Sequence, residues 1–348
     1  MLTVYSDRHT LHHARAEPFG GTVVEPFECP QRAEYVLARV REVGLGPVTP
    51  PADHGLGPVL RVHDAGYVQF LQTVWADWTA AGFSGQVTPS VWPGRTMPFR
   101  RPSSHIEARV GYYALCGETG IVEGTWEAAY WSAQTALTAL DAVLGGDRAA
   151  FALCRPPGHH APRDQFGGYC FLNNAAIAAQ AALDHGAQRV AVLDVDFHHG
   201  NGTQEIFYDR SDVLFLSLHG TPDQAYPYFM GWEDETGHGA GEGFTVNYPL
   251  PEGTPYSVWK QALERALDRI RAYAPDLLVI SLGLDTYEHD PISFFRLTGD
   301  DYRDTGALLA GVDLPTLFVM EGGYAVDDLG VNTVNVLQGF ETAAGDRP

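Results

Sequence analysis

Two aspartates and two histidines crowd the end of one apolar run. Val190, Ala191, Val192 and Leu193 lead into Asp194 and Asp196, and His198 and His199 follow directly. An extended chain points alternate side chains the same way, so Asp194, Asp196 and His198 share one side. Asp196 and His198 can then grip one ion, with Asp194 a step deeper. Buried unpaired carboxylates are costly, which makes a cation their natural partner. Asp285 lies just beyond a second apolar run, residues 277–282. Alone it would read as an N-cap or turn residue; its register with the other strand end reverses that reading. Two carboxylates and one imidazole leave zinc an open position for water.

A metal-activated water needs a base. Arg155, Pro156, Pro157 and Gly158 form a stiff turn that presents His159 and His160 after a third apolar run. One imidazole of such a pair, oriented by a buried carboxylate, suits proton transfer near neutral pH. After a fourth run, Glu321, Gly322 and Gly323 precede Tyr324. The glycines let backbone approach a ligand closely, and the phenol can donate to a developing oxyanion. Metal ligands, base and oxyanion donor together make the inventory of an amide hydrolase.

These residues need a frame that brings strand ends together. From about residue 150 onward, short β-rich runs at 150–154, 190–195, 213–218, 277–282 and 316–320 alternate with helical patterns at 174–185, 256–273, 300–310 and 327–340. That alternation predicts an α/β fold with a mainly parallel central sheet and helices on both faces, whose ligands sit at the carboxyl ends of the strands. The chain starts with a further strand pattern. In the 256–273 segment, Thr254 is placed to cap, Pro255 to open the helix, and Val258, Ala262, Leu263, Ala266, Leu267 and Ile270 to form the apolar face. Two Gly- and Pro-rich stretches, 11–30 and 81–104, exceed an ordinary connection and point to function or assembly, with a plain surface insertion as the alternative for the second.

Composition narrows the partners. A chain of 348 residues with 45% hydrophobic residues has ample material for a large core, and a formal charge of −21 repels nucleic acid and anionic membranes while attracting cations. No eighteen-residue apolar run or leader pattern occurs, and Cys29, Cys116, Cys154 and Cys170 lack the density of a disulfide scaffold. The expectation is a soluble cytoplasmic protein with reduced thiols that binds neither nucleic acid nor membrane.

Several long motifs occur in fixed order: 155–161, 166–174, 194–203, Ser217-Leu218-His219 and Glu321 to Tyr324. By these the chain resembles the histone deacetylase superfamily and, over nearly its whole length, the bacterial acetylpolyamine amidohydrolases within it. The resemblance implies an arginase-deacetylase-like fold in a single deacetylase domain, 1–348, with an insertion at about 81–104 through which a homodimer forms. It implies Zn2+ on Asp196, His198 and Asp285, His160 as general base, His159 as its electrostatic partner and Tyr324 polarising the scissile carbonyl. Asp194 would hold His159, and Asn201 stands behind His160 where some relatives carry an aspartate. Gly168, Tyr169 and Tyr226 would wall the substrate tunnel. One structural K+ is implied at Asp194, Asp196, His198, Ser217 and Leu218, and a second near Phe207, Arg210 and Val213. Gly200 and Gly283 replace the extra acidic ligands of a binuclear arginase site.

The substrate so implied is a small cationic acetylamine, an N-acetylated polyamine, with a broader acetyl-lysine peptide deacetylase as the alternative. A silent amine-binding protein is a third reading, and Fe(II) or Co(II) suits the same ligands as zinc. Glu107 and Glu118 match acidic positions near the mouth of the polyamine enzymes. If 106–118 is one helix, they lie three turns apart on one face, about 20° out of phase. Glu17 is a further candidate for the distal ammonium.

Overall fold

The structure, a computed structural model, describes residues 1–97 and 103–345. Its elements run in the order β1 (Leu2–Tyr5), β2 (Glu17–Phe19), β3 (Thr22–Val24), α1 (Gln31–Glu42), β4 (Val48–Thr49), α2 (Gly57–Leu60), α3 (Ala65–Ala80), α4 (Ile106–Tyr112), α5 (Thr125–Leu144) and β5 (Ala149–Leu153). The second half continues with α6 (Asn174–Asp184), β6 (Val190–Asp194), α7 (Asn201–Phe207), β7 (Val213–Gly220), β8 (Thr245–Leu250), α8 (Tyr256–Tyr273), β9 (Leu277–Leu282), α9 (Gly299–Ala310), β10 (Thr316–Met320) and α10 (Val326–Gly345). Eight strands form one sheet in the order β4-β1-β5-β10-β9-β6-β7-β8, and every pair in it is parallel. The short β2–β3 ribbon stands apart.

The near-continuous apolar strands follow from burial on both faces. Along β6, Val190 and Val192 join the core formed with α3, α5 and α6, while Ala191 and Leu193 join the core formed with α1, α8, α9 and α10. Four strands that carry candidate site residues at their carboxyl ends, β5, β10, β9 and β6, are consecutive in the sheet. Asp194 pairs in register with Ser281 on one side and Ser217 on the other.

Several helix ends carry their own chemistry. Asn173 accepts the Ala176 N–H to start α6, and Thr298 with Asp301 forms a capping box on α9. Two expectations for α8 are corrected. Thr254 donates its hydroxyl to the Pro251 carbonyl and does not cap, and Pro255 is the residue before the helix, not its first. Ala262, Leu263, Ala266, Leu267 and Ile270 are buried as expected, but at the start of the stripe Trp259 is buried in place of Val258, which is exposed.

A third correction bears on the site. The segment 106–118 is not one helix: α4 ends at Tyr112, and the chain then pairs its backbone with Phe166, which exchanges hydrogen bonds with Tyr113 and Leu115. Glu107 and Glu118 therefore do not share a helix face. Within the insertion, Val87 pairs with Ile121 and the Trp92 indole donates to the Ala114 carbonyl. Val91, Trp92 and Met97 stay exposed, and Phe99, Arg100 and Arg101, also in this insertion, lie outside the described residues. No helix among the described residues is long and apolar enough to cross a membrane.

Candidate active site

The carboxyl ends of β6 and β9 deliver Asp196, His198 and Asp285, all buried, with one ligand atom from each lying within 4.8 Å of the others. His198 Nδ1 is 2.9 Å from Asp285 Oδ2 and 3.3 Å from Asp196 Oδ1. Backbone N–H groups hold the carboxylates: Phe197 donates to Asp285 Oδ1 at 2.8 Å and Gly322 to Asp196 Oδ2 at 2.8 Å. Burial and the Asp196 charge push the Asp285 carboxyl up to about 8. For His198, burial disfavours the cation, yet hydrogen bonds to Asp196 and Asp285 outweigh it and lift the ring to about 10. Two buried carboxylates thus compete for one imidazolium, and a divalent cation resolves the shortage of positive charge. One nitrogen and carboxylate oxygens in this arrangement fit zinc. A Cβ added to Gly283 would collide with Asp196 Oδ2, and one on Gly200 with Asp194 Oδ2, so neither position has room for a further acidic ligand.

The turn after β5 carries the two histidines with their rings 4.0 Å apart. His159 Nδ1 lies 2.9 Å from Asp194 Oδ2, and His160 Nδ1 lies 2.7 Å from Asn201 Oδ1. The charge on each ring differs accordingly. For His159, burial opposes the cation but Asp196 and Asp194 overcome it and hold the ring well above the usual histidine range. For His160, burial and the positive charges of His159 and His198 hold it well below that range. One imidazole is kept charged while its neighbour is kept neutral, which separates an electrostatic role from a base.

Tyr324 follows β10, and its backbone N–H donates to Asp290 Oδ2 at 2.7 Å. Burial pushes its phenol well above the usual range, against the pull of the Arg32 guanidinium 4.9 Å from the ring centre, so the O–H remains a donor. Tyr324, His160 and His198 open onto one cavity of about 150 Å³, which Gly168, Tyr169, Tyr226 and Glu118 also line. Gly168 is squeezed between two walls: a Cβ there would run into the His160 ring and reach within 3.0 Å of Tyr226.

The rim glutamates divide. Glu118 is half-buried in the cavity wall, where burial raises its carboxyl. Glu17 is buried and accepts the Tyr169 hydroxyl at 2.9 Å. Burial pushes it up to about 7, with Tyr169 opposing and the Glu118 charge adding. Glu107 sits instead beside His105, at 3.9 Å, and is not part of the cavity wall. Ser217 and Leu218 are fully buried on β7, and the Ser217 hydroxyl lies 2.8 Å from His219 Nδ1. Phe207, Arg210 and Val213 lie around the turn from α7 to β7, where Arg210 N–H donates to the Phe207 carbonyl.

One group beside the site escaped the sequence reading. Glu28 is buried between Arg155, which donates to both its oxygens at 2.7 and 2.8 Å, and Arg32, at 3.0 Å. Arg32 continues to the Gly323 carbonyl at 2.7 Å and the Glu321 carbonyl at 2.5 Å. Its only local signal is an i,i+4 acid–base pair, which elsewhere would mark a solvated surface.

Residues 26–340 match the family model described as "Histone deacetylase domain". The chain is 55% identical over 341 residues, 98% of its length and 99% of the relative's, to acetylpolyamine amidohydrolase 2 of Pseudomonas aeruginosa. It is 54% identical over 339 residues, 97% and 99% of the two chains, to acetylpolyamine amidohydrolase of Mycoplana ramosa. A crystal structure of acetylpolyamine aminohydrolase from Burkholderia pseudomallei superposes with a TM-score of 0.94 at 43% identity, covering 99% of each chain. With that match and the parallel sheet whose adjacent strand ends carry the site, the chain belongs to the histone deacetylase family.

Proposed function

We propose that this protein is a zinc-dependent amidohydrolase that deacetylates N-acetylated polyamines or related small cationic amines. The observation that carries the reading is the convergence, on one narrow cavity, of His198, His160, Tyr324 and Glu118. The names of the relatives, acetylpolyamine amidohydrolases at 54–57% identity, support the same substrate class. Asp196, His198 and Asp285 would hold zinc, which supplies Lewis acidity toward the amide carbonyl and acidifies water.

The chain's own residues do the rest. His160 spends Nδ1 on Asn201, which leaves Nε2 to take the proton of the attacking water and return it to the departing amine. His159, held charged by Asp196 and Asp194, stabilises negative charge next to it. The Tyr324 hydroxyl donates to the carbonyl oxygen as charge develops there. The faces of Tyr169 and Tyr226 pack along the methylene chain, and Glu118 meets the distal ammonium, with Glu17 behind Tyr169.

Two further parts belong to the proposal. One K+ would bind the carbonyls of Asp194, Asp196, His198 and Leu218 and the Ser217 hydroxyl, a placement supported by the pairing of Asp194 with Ser217; a second would lie at Phe207, Arg210 and Val213. The chain would act in the cytoplasm as a homodimer of one deacetylase domain, 1–348, associating through the 81–104 insertion. The free state of all four cysteines and the exposure of Val91, Trp92 and Met97 support this. Light scattering of the parent and of a form lacking 84–101 tests the interface: a dimer that persists after deletion removes the insertion from it.

The deciding experiment compares kcat/KM on acetylputrescine, acetylcadaverine and acetylspermidine with that on an acetyl-lysine peptide. Higher efficiency on the acetylpolyamines is expected. Higher efficiency on the peptide, or no turnover of any of them, would overturn the proposal.

A further inference from the structure

Glu321 immediately follows β10, and the chemistry set out above gives its side chain no task. It is fully buried. The carboxylate reaches across to the turn after β5, where Oε2 accepts the Gly158 N–H at 2.6 Å and the His159 N–H at 3.1 Å. Oε1 meets the Ser281 hydroxyl of β9 at 3.3 Å. The backbone of the same residue opens the turn to Tyr324: its N–H donates to Leu282 and its carbonyl accepts Arg32. One residue further, the Gly322 N–H binds Asp196 Oδ2. Nothing but backbone fits there, since a Cβ on Gly322 would lie 2.6 Å from both Asp196 Oδ2 and Asp285 Oδ2.

The base and the oxyanion donor therefore sit on two separate turns, and one side chain ties them. We propose that Glu321 is a positioning residue that sets the separation of His160 from Tyr324 by clamping the Gly158–His159 backbone to the strand end delivering the tyrosine. A single oxygen accepting two consecutive N–H groups fixes the direction of the turn as well as its distance. Because His160 is the next residue, any tilt of that turn moves its ring directly.

A competing use of the same atoms is weaker. His159, Cys170 and Glu321 place potential ligand atoms within 4.8 Å of one another, close enough to hold an ion. Their atoms are already committed: His159 Nδ1 to Asp194, Glu321 Oε2 to two N–H groups, and Cys170 Sγ to the Gly168 carbonyl at 3.2 Å. Burial also pushes the Cys170 thiol well above its usual range, so the thiolate a metal needs is disfavoured.

The inference rests on the deacetylase reading of the site, and its test separates the two. Glu321→Gln keeps the reach and an acceptor oxygen but cannot ionise, where burial pushes the parental carboxyl up to about 7. Glu321→Asp keeps the carboxyl but is too short to span both N–H groups. Both are assayed on acetylputrescine beside the parent, with metal content and melting temperature measured. Positioning predicts that Glu321→Asp loses about 10–100-fold in kcat, the cost of displacing a reacting group by roughly an ångström, with KM within about threefold and metal content unchanged. Glu321→Gln should retain kcat within about fivefold. If Glu321→Asp does not fold, Glu321→Gln alone decides: a loss beyond about tenfold overturns the clamp. So do the reverse order of the two variants, parental kcat in both, or loss of metal in step with kcat. An inactive parent would instead defeat the deacetylase reading.

Discussion

Asn201 stands directly behind His160, its Oδ1 2.7 Å from His160 Nδ1, where His159 has the carboxylate of Asp194 at 2.9 Å. An amide orients the ring without adding a negative charge, which leaves burial and the positive charges of His159 and His198 to hold His160 well below the usual histidine range while its neighbour is held above it. Asn201→Asp places a carboxylate there, which favours the imidazolium. The base must be neutral to act, so the acidic limb of kcat/KM should move up by about one pH unit or more. A profile of both proteins, carried to acid until the parental limb is reached, checks it; an unmoved limb would remove His160 from the base role.

Asp285→Ala should abolish stoichiometric metal and activity together. Only Asp196 and His198 would remain of the buried set, and two ligands do not hold zinc against water. Elemental analysis of the purified variant reads the outcome, and one tightly held metal per chain with near-parental turnover would contradict the ligand assignment.

His160→Ala should keep its metal yet lose roughly 10²–10⁴-fold in kcat, the range for a positioned acid–base group. Tyr324→Phe should lose about 10²–10³-fold, the value of one oxyanion donor. Steady-state kinetics with metal quantified in the same samples separates these effects from loss of the ion.

Glu118→Gln should mainly lower kcat/KM for acetylpolyamines, with a smaller loss on a neutral acylated amine of equal length. Added salt should weaken the parental preference for the cationic substrate. Glu107→Gln should leave both substrates unchanged in this respect, because Glu107 lies beside His105 and outside the cavity wall. Equal losses on charged and neutral substrates in Glu118→Gln would take that residue out of ammonium recognition.

Glu28 links pH to stability. Burial alone would raise its carboxyl, but the guanidinium groups of Arg155 and Arg32 outweigh that and bring it down to about 2. A carboxyl lowered by folding stabilises the fold above its unfolded value of 4.5, and the contribution is lost as pH falls from there toward about 2. Melting temperature should fall across that window. Glu28→Ala should cost about 3–5 kcal/mol at pH 7, because it leaves two buried guanidinium groups without their shared partner. Part of the acid-induced loss should vanish in the variant; an identical pH dependence would assign it to other groups.

Much of this site was readable along the chain because its parts are local. The apolar run ending at Asp194, with Asp196 and His198 directly after it, placed all three at one strand end, although the chain bends over 196–198 and does not stay extended, and continuous apolar runs mark strands buried on both faces. Asp285, the two histidines and Tyr324 each follow such a run closely, so their placement at strand ends needed no knowledge of the fold. What local pattern cannot specify is which strands become neighbours. Only the packed sheet sets β5, β10, β9 and β6 side by side and converts four strand ends into one cavity. The same limit explains the failure at 106–118. Helical spacing of Glu107 and Glu118 is compatible with one helix, but after Tyr112 the backbone groups find partners in Phe166, more than fifty residues away in sequence, and the helix stops. The pairing of Glu28 with Arg32 and Arg155 was invisible for a related reason: charged residues read as solvated until tertiary packing removes the water and leaves them one another and nearby backbone carbonyls as partners.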